Sequence, residues 1–306
     1  MEHFKANGKL LISGEYAVLD GALALAIPTK LGQTLEVNYS EPHTENPKLV
    51  WNAFLHDESL WFSAEFDLKT FEIILSSDQK LAKKLKELFQ AIRKLNPDFL
   101  RTEIRNVQCK TRLEFPKDWG FGSSSTLVYL LAQFAEVDAF ELNKLTFNTS
   151  GYDIACASAK TPIFYQNTPK ERRVEAIEFQ PKFADQLYFV HLNQKQDTQI
   201  SVSKNYKDLS RDLDWLNGIS ALTYNLSQVE TREEFEVILN LHEEMISSKL
   251  GLEKVKEQYF SDYEGSVKSL GAWGGDFVLI TERPNCKAYF RKKGFQTILR
   301  FHDIFL

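Results

Sequence analysis

β-rich segments broken by turns make up much of the first half of the chain, and apolar and polar residues alternate at residues 34–39 with the two-residue period of a strand that buries one face. This pattern predicts strands at residues 34–39, 49–55, 60–66 and 70–75, after a short apolar run at residues 10–12. Asp20-Gly21 predicts a turn, and Pro28 predicts a break in the apolar run that follows it. The first part of the chain is therefore predicted to be rich in β structure.

Apolar residues first recur with helical spacing between residues 78 and 95. Ser77 is the predicted N-cap of this helix, and Asn96-Pro97 is predicted to end it. The lysines on the opposite face predict a solvated surface. The residues that carry the helical spacing are Leu81, Leu85, Leu88, Phe89, Ile92 and Leu95.

Beyond residue 100 the pattern predicts a mixture of strands and helices. Strands are expected at residues 101–115, 162–165, 174–179, 187–192, 277–282 and 296–301. Helices are expected from within residues 120–125 to about 136, from residue 150, near 206–227, 232–249 and 253–261, and at 284–293, closed by Gly294. The 306 residues predict two domains, 1–165 and 166–306, although one large α/β domain also fits this length.

Composition narrows the classes of partner. The net charge of -5 argues against a nucleic-acid partner, which requires a basic surface. Cys109, Cys156 and Cys286 are too far apart in sequence for a zinc motif or a dense disulfide framework, so we expect reduced thiols. No leader pattern opens the chain, and no apolar run approaches the roughly 20 residues of a membrane span. We therefore expect a cytoplasmic protein with no membrane partner, and the sequence predicts no oligomeric state.

The first candidate for chemistry is the segment Gly120-Phe121-Gly122-Ser123-Ser124-Ser125, between a predicted strand and a predicted helix. Glycines let a backbone approach phosphates closely, and the N-terminus of the following helix favours an anion. The segment lacks the Gly-Lys-Ser/Thr ending of a Walker A loop. Taken alone, it fits a phosphate loop and a serine-rich helix cap equally well.

Three other segments gain meaning only beside this one. Residues 8–21 contain Gly8-Lys9 and Gly14-Glu15-Tyr16, which alone fit an edge strand and a turn. Residues 268–276, from Lys268 to Asp276, hold three glycines and alone fit a tight turn. Ser150-Gly151-Tyr152-Asp153 opens a predicted helix.

In this order and at these distances, the segments resemble the superfamily of galactokinase, homoserine kinase, mevalonate kinase and phosphomevalonate kinase, the GHMP kinases. Residues 8–21 are similar to its Gly-Lys…Gly-Glu-Tyr-Ala-Val-Leu opening, residues 120–124 to its Gly-Leu-Gly-Ser-Ser loop, and residues 271–276 to its Gly-Ala-Gly-Gly-Gly-Asp turn. The resemblance runs from Lys9 to Asp276. It looks closest to phosphomevalonate kinase, because of Gly-Glu-Tyr at 14–16 and Gly-Gly-Asp at 274–276, and next to mevalonate kinase.

The resemblance implies an α+β fold of two domains, with the active site in the cleft between them. The first would be a ribosomal-protein-S5-domain-2-like domain, and the second a ferredoxin-like α/β sandwich. ATP and Mg²⁺ would be the cofactors, and a small molecule the substrate. The reaction would be phosphoryl transfer to mevalonate or its 5-phosphate, with a sugar, homoserine or a catalytically silent nucleotide-binding protein as alternatives.

The resemblance also implies roles for individual residues. Asp153 would orient or deprotonate the acceptor hydroxyl, Lys9 would stabilise developing charge, and Ser124 would ligate Mg²⁺. The residues implied to hold the nucleotide are Gly120, Gly122, Ser123, Ser124, Ser125, Thr126, Gly271, Ala272 and Gly274. Those implied to contact the substrate are Glu15, Tyr16, Ser150, Gly151 and Lys268.

Three departures from the family pattern affect this interpretation. Trp273 stands where the family usually has glycine, so we expect an indole where the backbone would approach the ligand. Asp118 brings negative charge to the approach of the loop. The interval from Ser124 to Asp153 is about half that of mevalonate kinases, which carry a Mg²⁺-binding glutamate there. None of the nearby carboxylates, Glu136, Asp138 and Glu141, aligns with that glutamate, and a water, Asp153 or Glu15 could take its place.

Overall fold

The computed structural model describes residues 1–41, 46–194, 206, 209 and 211–305. The chain forms two compact units. The first unit comprises residues 1–8, 31–117 and 122–158, and the second comprises residues 9–30, 118–121 and 159–306. Residues 9–30 and 118–121 thus group with the carboxy-terminal half of the chain. The predicted domain boundary between residues 165 and 166 divides the chain only once, and it stays a prediction.

Antiparallel pairing dominates the sheet of the first unit. Within this unit the strand order is β5-β4-β3-β6-β2, with β3 parallel to β6 and the β5–β4, β4–β3 and β6–β2 pairs antiparallel. The strands are β1 (Glu2–Ser13), β2 (Ala24–Ser40), β3 (Lys48–Phe54), β4 (Leu60–Asp67), β5 (Ile73–Ser76) and β6 (Asn106–Leu113). β1 pairs with β2, and both strands continue into the second unit.

Helices cover the buried face of this sheet, where large side chains such as Trp51, Phe66 and Phe89 form the core. The helices are α1 (Gln79–Leu95), α2 (Ser123–Phe134), α3 (Ala139–Thr146) and α4 (Tyr152–Ser158). The N-cap of α1 is Asp78, whose Oδ1 accepts the Lys80 N–H at 2.9 Å. The prediction of Ser77 was therefore wrong by one residue.

The predicted break at Pro28 was also wrong, because β2 runs without interruption from Ala24 to Ser40. Residues 24–26 pair with the neighbouring strand β7 (Ile163–Asn167), and residues 33–40 pair with β6. Pro28 lies between these two paired stretches. Its missing N–H therefore removes no hydrogen bond of either ladder. In the second unit, β7 pairs in turn with β8 (Arg172–Ala176).

The rest of the second unit contains a four-stranded antiparallel sheet in the order β10-β11-β9-β12. Its elements are β9 (Leu187–His191), α5 (Leu213–Gln228), α6 (Arg232–Leu250), α7 (Val255–Tyr259), β10 (Val267–Ser269), β11 (Phe277–Thr281), α8 (Cys286–Lys292), β12 (Ile298–Arg300) and α9 (Phe301–Ile304). The connectivity and the strand order are those of the ferredoxin-like split βαβ. The predicted α+β fold class is thereby confirmed.

Several element bounds differ from the predictions. The helix expected near residues 206–227 begins at Leu213, and residues 207, 208 and 210 of its expected start lie outside the described residues. α3 and β10 were not predicted, and the strand expected at residues 296–301 ends at Arg300, before α9. In the described part of the chain, no helix is both long and apolar enough to cross a membrane.

Candidate active site

The glycine-serine segment forms a loop that leads directly into α2. Gly120 has φ 66° and Gly122 has φ 87°, in the left-handed region that glycine adopts without strain. α2 begins at Ser123, no side chain among the described residues caps it, and its first turn contains no acidic residue. The first N–H groups of a helix have no acceptor within the helix, and they carry its positive dipole end. This end of α2 therefore has the chemistry of an anion site.

The four hydroxyls that follow Gly122 fall into two pairs. Ser125 Oγ donates to the Gly122 carbonyl at 2.9 Å, and Thr126 Oγ1 donates to Gln33 Oε1 at 2.6 Å, so both hydroxyls brace the loop. Ser123 is half-buried and Ser124 is exposed, and neither hydroxyl bonds to another residue in the described ranges. Ser123 and Ser124 are thus the hydroxyls that can bind a phosphate oxygen or a metal ion.

Within the second unit, Gly120 packs against Asp276 in the turn between β10 and β11, residues 270–276, which we call the closing turn. A Cβ at position 120 would lie 2.1 Å from Oδ2 of Asp276, a contact that only glycine avoids. Asp276 is 7% exposed and itself adopts φ 53°. Next along the loop, the Phe121 carbonyl accepts the Lys9 N–H at 3.0 Å. Lys9 of β1, the loop and the closing turn are therefore neighbours inside this unit.

The closing turn between β10 and β11 packs its indole inward. Trp273 is 8% exposed and belongs to a buried apolar cluster with Tyr16 and Ile246. Its backbone N–H donates to the Tyr16 hydroxyl at 2.9 Å, and its Nε1 donates to the Glu253 carbonyl at 2.9 Å. The expected intrusion of this indole on a ligand was therefore wrong, because both its ring and its N–H are engaged in the core.

The same turn contains two glycines in the left-handed region, Gly271 at φ 70° and Gly274 at φ 78°. Apart from the chain neighbours, no atom of the described residues lies within 4 Å of a Cβ built at either position. Ala272 between them is buried. Their implied contacts with a nucleotide stay predictions.

Two of the implied substrate residues form a buried ion pair in the second unit. Lys268 is 0% exposed, and its Nζ lies 2.6 Å from Oε1 of Glu15, which is 2% exposed. Lys268 Nζ also donates to the Ser269 carbonyl at 2.9 Å. Both side chains are enclosed by protein, and this favours a positioning role over direct contact with a substrate.

Two residues of α6 complete this buried group, and the sequence analysis missed both. His242 Nε2 accepts the Gly14 N–H at 3.1 Å, and Glu243 Oε1 lies 3.9 Å from Lys268 Nζ. A signal was present in the sequence. His242 and Glu243 are ionisable, yet they follow Leu239 at helical spacing, on the face that α6 buries.

Burial governs the protonation of this group. It raises the pKa of Glu243 to about 8, with Lys268 opposing the shift and Glu15 adding to it. Burial also raises the pKa of Glu15, against the lowering effect of Lys268. The pKa of His242 lies well below its ordinary value, first because of burial and then because of Lys268. At neutral pH, the Glu243 carboxyl group therefore keeps its proton, and His242 is a neutral imidazole.

In the first unit, Asp153 lies in the first turn of α4, which packs against α2. Asp153 Oδ1 accepts the Thr149 hydroxyl at 3.2 Å and the Ile154 N–H at 3.0 Å. Gly151, at φ 93°, makes the turn that starts the helix, and Ser150 beside it is half-buried. The carboxylate of Asp153 is thereby held in a defined orientation.

The carboxylates considered for Mg²⁺ lie in ordinary structural settings. Asp138 caps α3, accepting the Phe140 N–H at 2.7 Å, while Glu136 and Glu141 are exposed. Asp118 is also exposed, and its carbonyl lies 3.2 Å from His191 Nε2. In the described ranges, no three His, Cys, Asp or Glu side chains cluster as metal ligands. Mg²⁺ keeps several waters and binds substrate phosphates, so the Ser124 hydroxyl fits as a single protein ligand.

Neither a family model nor a curated protein matches this sequence. Solved structures do match. Streptococcus pneumoniae phosphomevalonate kinase, in complex with phosphomevalonate and AMPPNP, has a TM-score of 0.69 at 16% identity, covering 98% of this chain and 100% of that one. Methanococcus jannaschii mevalonate kinase has a TM-score of 0.62 at 16% identity, covering 95% and 94%. Lactococcus lactis galactokinase complexed with galactose has a TM-score of 0.60 at 14% identity, covering 95% and 88%.

The chain has the fold of the GHMP kinases. The predicted resemblance is confirmed at the level of the fold, over nearly the whole length of each chain. Within this GHMP-kinase fold, the glycine-serine loop leads into α2 with an uncapped helix end, and Asp276 of the closing turn packs on Gly120. Identities of 14–18% establish architecture and leave the acceptor open.

Proposed function

We propose that this protein is an ATP-dependent kinase that transfers the γ-phosphoryl group to the hydroxyl or phosphate of a small metabolite. The observation that carries the proposal is the N-terminus of α2, which lacks a side-chain cap and acidic residues and directly follows a loop with two left-handed glycines. In a GHMP-kinase fold, that feature matches what a triphosphate requires. The solved AMPPNP complex of a protein with this fold supports the same assignment.

Phosphoryl transfer depends on positioning and on neutralising charge. In the proposed site, the N–H groups of residues 122–125 and the hydroxyls of Ser123 and Ser124 hold phosphate oxygens. Ser124 is the residue that would hold Mg²⁺, which when bound would neutralise phosphate charge. Ser125 and Thr126 keep the loop in shape through the hydrogen bonds described above.

Asp153 is the proposed residue for orienting or deprotonating the acceptor hydroxyl. Its Oδ1 is fixed by Thr149 and by the Ile154 N–H, which supports a positioned acid–base group. Lys9 is proposed to stabilise the charge that develops during transfer, for which a compact ammonium is suited. Glu15 and Lys268 are proposed to act from inside the protein, by fixing the segment around residue 14.

Phosphomevalonate and mevalonate are the acceptors we favour. Kinases of both compounds share this fold, and Gly14-Glu15-Tyr16 and Gly274-Gly275-Asp276 look closest to phosphomevalonate kinase. A phosphorylated acceptor requires additional cations. Two basic residues of the first unit are already paired, Lys5 with Glu114 at 3.1 Å and Arg105 with Glu103 at 2.8 Å.

The test is ADP release from ATP and Mg²⁺ with mevalonate, phosphomevalonate, homoserine or galactose as the acceptor. We expect turnover with one of the first two. Asp153→Asn should lower kcat by about 10²–10⁴-fold, the usual contribution of a positioned acid–base group. The matched control is Asp98→Asn, the same change at an exposed position of the same unit, which should leave kcat unchanged.

Binding of a fluorescent ATP analogue should be measured beside turnover. Asp153→Asn should bind the analogue like the wild type, because Asp153 is assigned to the acceptor. Binding without turnover on any acceptor would favour the silent nucleotide-binding protein. Turnover that is equal in Asp153→Asn and wild type would refute the role of Asp153.

A further inference from the structure

Four ionisable side chains lie together inside the second unit, and we call them the buried cluster: Glu15, His242, Glu243 and Lys268. Their exposures are 2%, 1%, 2% and 0%. Enclosing charged groups this completely is costly, and apolar residues of similar volume often give equal or greater stability. Stability alone therefore does not explain why this cluster is ionisable.

The buried cluster forms hydrogen bonds with the backbone of two segments, at Gly14 and at Ser269. His242 Nε2 accepts the Gly14 N–H at 3.1 Å, and Gly14 has φ 95°. On the other side, Lys268 Nζ donates to the Ser269 carbonyl at 2.9 Å, and Lys268 is itself paired with Glu15 at 2.6 Å. The segment before Tyr16 and the end of β10 are thus held by one set of side chains.

Charge counting assigns the protons within the cluster. His242 is neutral, because the ring nitrogen that accepts the Gly14 N–H cannot also carry a proton. One ammonium, that of Lys268, then faces two carboxyl groups. Its Nζ lies 2.6 Å from Glu15 and 3.9 Å from Glu243, so Glu15 is the ionised partner. Glu243 can avoid an uncompensated buried charge only by holding a proton.

We propose that His242 and Glu243 of α6 are positioning residues for the proposed phosphoryl transfer. They hold the chain at residues 14 and 269 in the reactive arrangement, and Glu243 does so as the protonated acid. The inference rests on the proposed function, because those backbone segments flank the predicted nucleotide and substrate residues. Ser269 Oγ, 3.4 Å from Glu243 Oε2, is the direct link between this acid and the strand that precedes the turn.

The acid form of Glu243 predicts a specific pH dependence. The charged groups that act on it are Lys268 and Glu15, and His242 Nε2 in turn lies 3.4 Å from Oε2 of Glu15. When Glu243 loses its proton at a pKa of about 8, two carboxylates share one ammonium, and their repulsion disturbs the backbone that the cluster holds. The kcat of the wild type should therefore fall above about pH 8.

Glu243→Gln is the decisive variant, because glutamine mimics the protonated acid in shape and charge. It should retain most of the kcat at pH 6.5 and lose the decline above pH 8. Glu243→Ala should lower kcat on the order of 10²-fold at every pH, as expected when reacting groups are misplaced by about 1 Å. Glu244→Gln, the same change at the adjacent exposed residue of α6, should reproduce the wild-type pH profile.

A second readout does not require kinase activity. The folded state holds a proton on Glu243 that the unfolded state releases near pH 4.5, so the stability of the wild type should fall as pH rises from 4.5 to about 8. Glu243→Gln should lack this part of the fall, and its Tm should gain on that of the wild type by about 2 °C per pH unit. His242→Ala should lower kcat, because the Gly14 N–H loses its acceptor. Glu243→Gln leaves that hydrogen bond in place and should retain kcat.

Superimposable pH profiles of kcat and Tm for wild type and Glu243→Gln would overturn the proposal. So would a loss of kcat in Glu243→Gln at pH 6.5 as large as that in Glu243→Ala. If no acceptor is turned over by the wild type, the proposed function fails, and the positioning role fails with it. In that case the Tm profiles still decide whether Glu243 is protonated.

Discussion

Gly120→Ala provides the sharpest test of how the loop is packed. A Cβ at this position would lie 2.1 Å from Oδ2, 2.3 Å from Cγ and 2.9 Å from Cβ of Asp276. Asp276 cannot swing away freely, because it is 7% exposed and its backbone N–H and carbonyl bond to Gln194 and Leu192 at 2.9 and 2.8 Å. The substitution therefore forces either the loop or the closing turn to move.

Two effects add to the expected loss of stability. Alanine at the left-handed φ of 66° costs about 1–2 kcal/mol. The overlap with Asp276 adds about 1–3 kcal/mol, the usual cost of overpacking. We therefore expect Gly120→Ala to lower the free energy of unfolding by about 2–5 kcal/mol. Gly251→Ala isolates the first effect, because Gly251 has φ 65° and a Cβ built there meets no atom of the described residues within 4 Å beyond its chain neighbours.

Urea unfolding of both alanine variants measures the difference. A double-mutant cycle with Asp276→Gly then assigns it, because the additional cost of Gly120→Ala should disappear once the carboxylate is removed. Equal losses of stability in Gly120→Ala and Gly251→Ala would refute the packing argument. An additive double mutant would do the same, because the overlap would then not involve Asp276.

Two further predictions concern the interior of the second unit. Lys268→Met should lower the free energy of unfolding by about 3–5 kcal/mol, because it leaves Glu15 buried without a cation. Lys254→Met, at a partly exposed pair with Glu244, should change the free energy of unfolding little. Equal effects of the two variants in urea unfolding would contradict the burial argument. Trp273→Gly restores the usual family residue but should lower the free energy of unfolding by about 3–5 kcal/mol, because the buried indole is lost. Trp273→Phe should lower it by only about 1 kcal/mol, through the lost hydrogen bond to the Glu253 carbonyl. A Trp273→Gly variant as stable as the wild type in thermal unfolding would contradict the packing of Trp273.

Local patterns were sufficient to predict the elements whose own sequence determines them. The β-rich composition of short segments located β3 and β4 to within about a residue, and helical spacing located α1 and α6 nearly as well. The predictions failed where tertiary contacts decide. β2 continues through Pro28 because that residue lies between two paired stretches. β10 is only three residues long and is a strand because it pairs with β11.

In the candidate site too, residues constrained by local backbone conformation could be predicted from the sequence, and residues that depend on tertiary contacts could not. The glycines at 120 and 122 could be recognised because a positive φ constrains residue type at one position. The partner that makes Gly120 obligatory is Asp276, which is 156 residues away in sequence, and only the folded chain brings the two together. His242 and Glu243 were overlooked because a polar residue on an otherwise apolar helix face does not reveal what it binds.

Trp273 changes the weight of the silent-protein alternative. A tryptophan in place of the family glycine counted against nucleotide binding as long as its side chain was expected to lie toward the ligand. In the folded chain, the backbone N–H of Trp273 donates to the Tyr16 hydroxyl, and the indole belongs to an apolar cluster with Ile246. Trp273 therefore joins the closing turn to residues 8–21. The Lys268–Glu15 pair likewise joins β10 to that segment. The two links are chemically independent, one an apolar contact with a hydrogen bond and the other an ion pair. The departure at residue 273 therefore strengthens the attachment of the turn and gives no reason to expect a lost phosphate site.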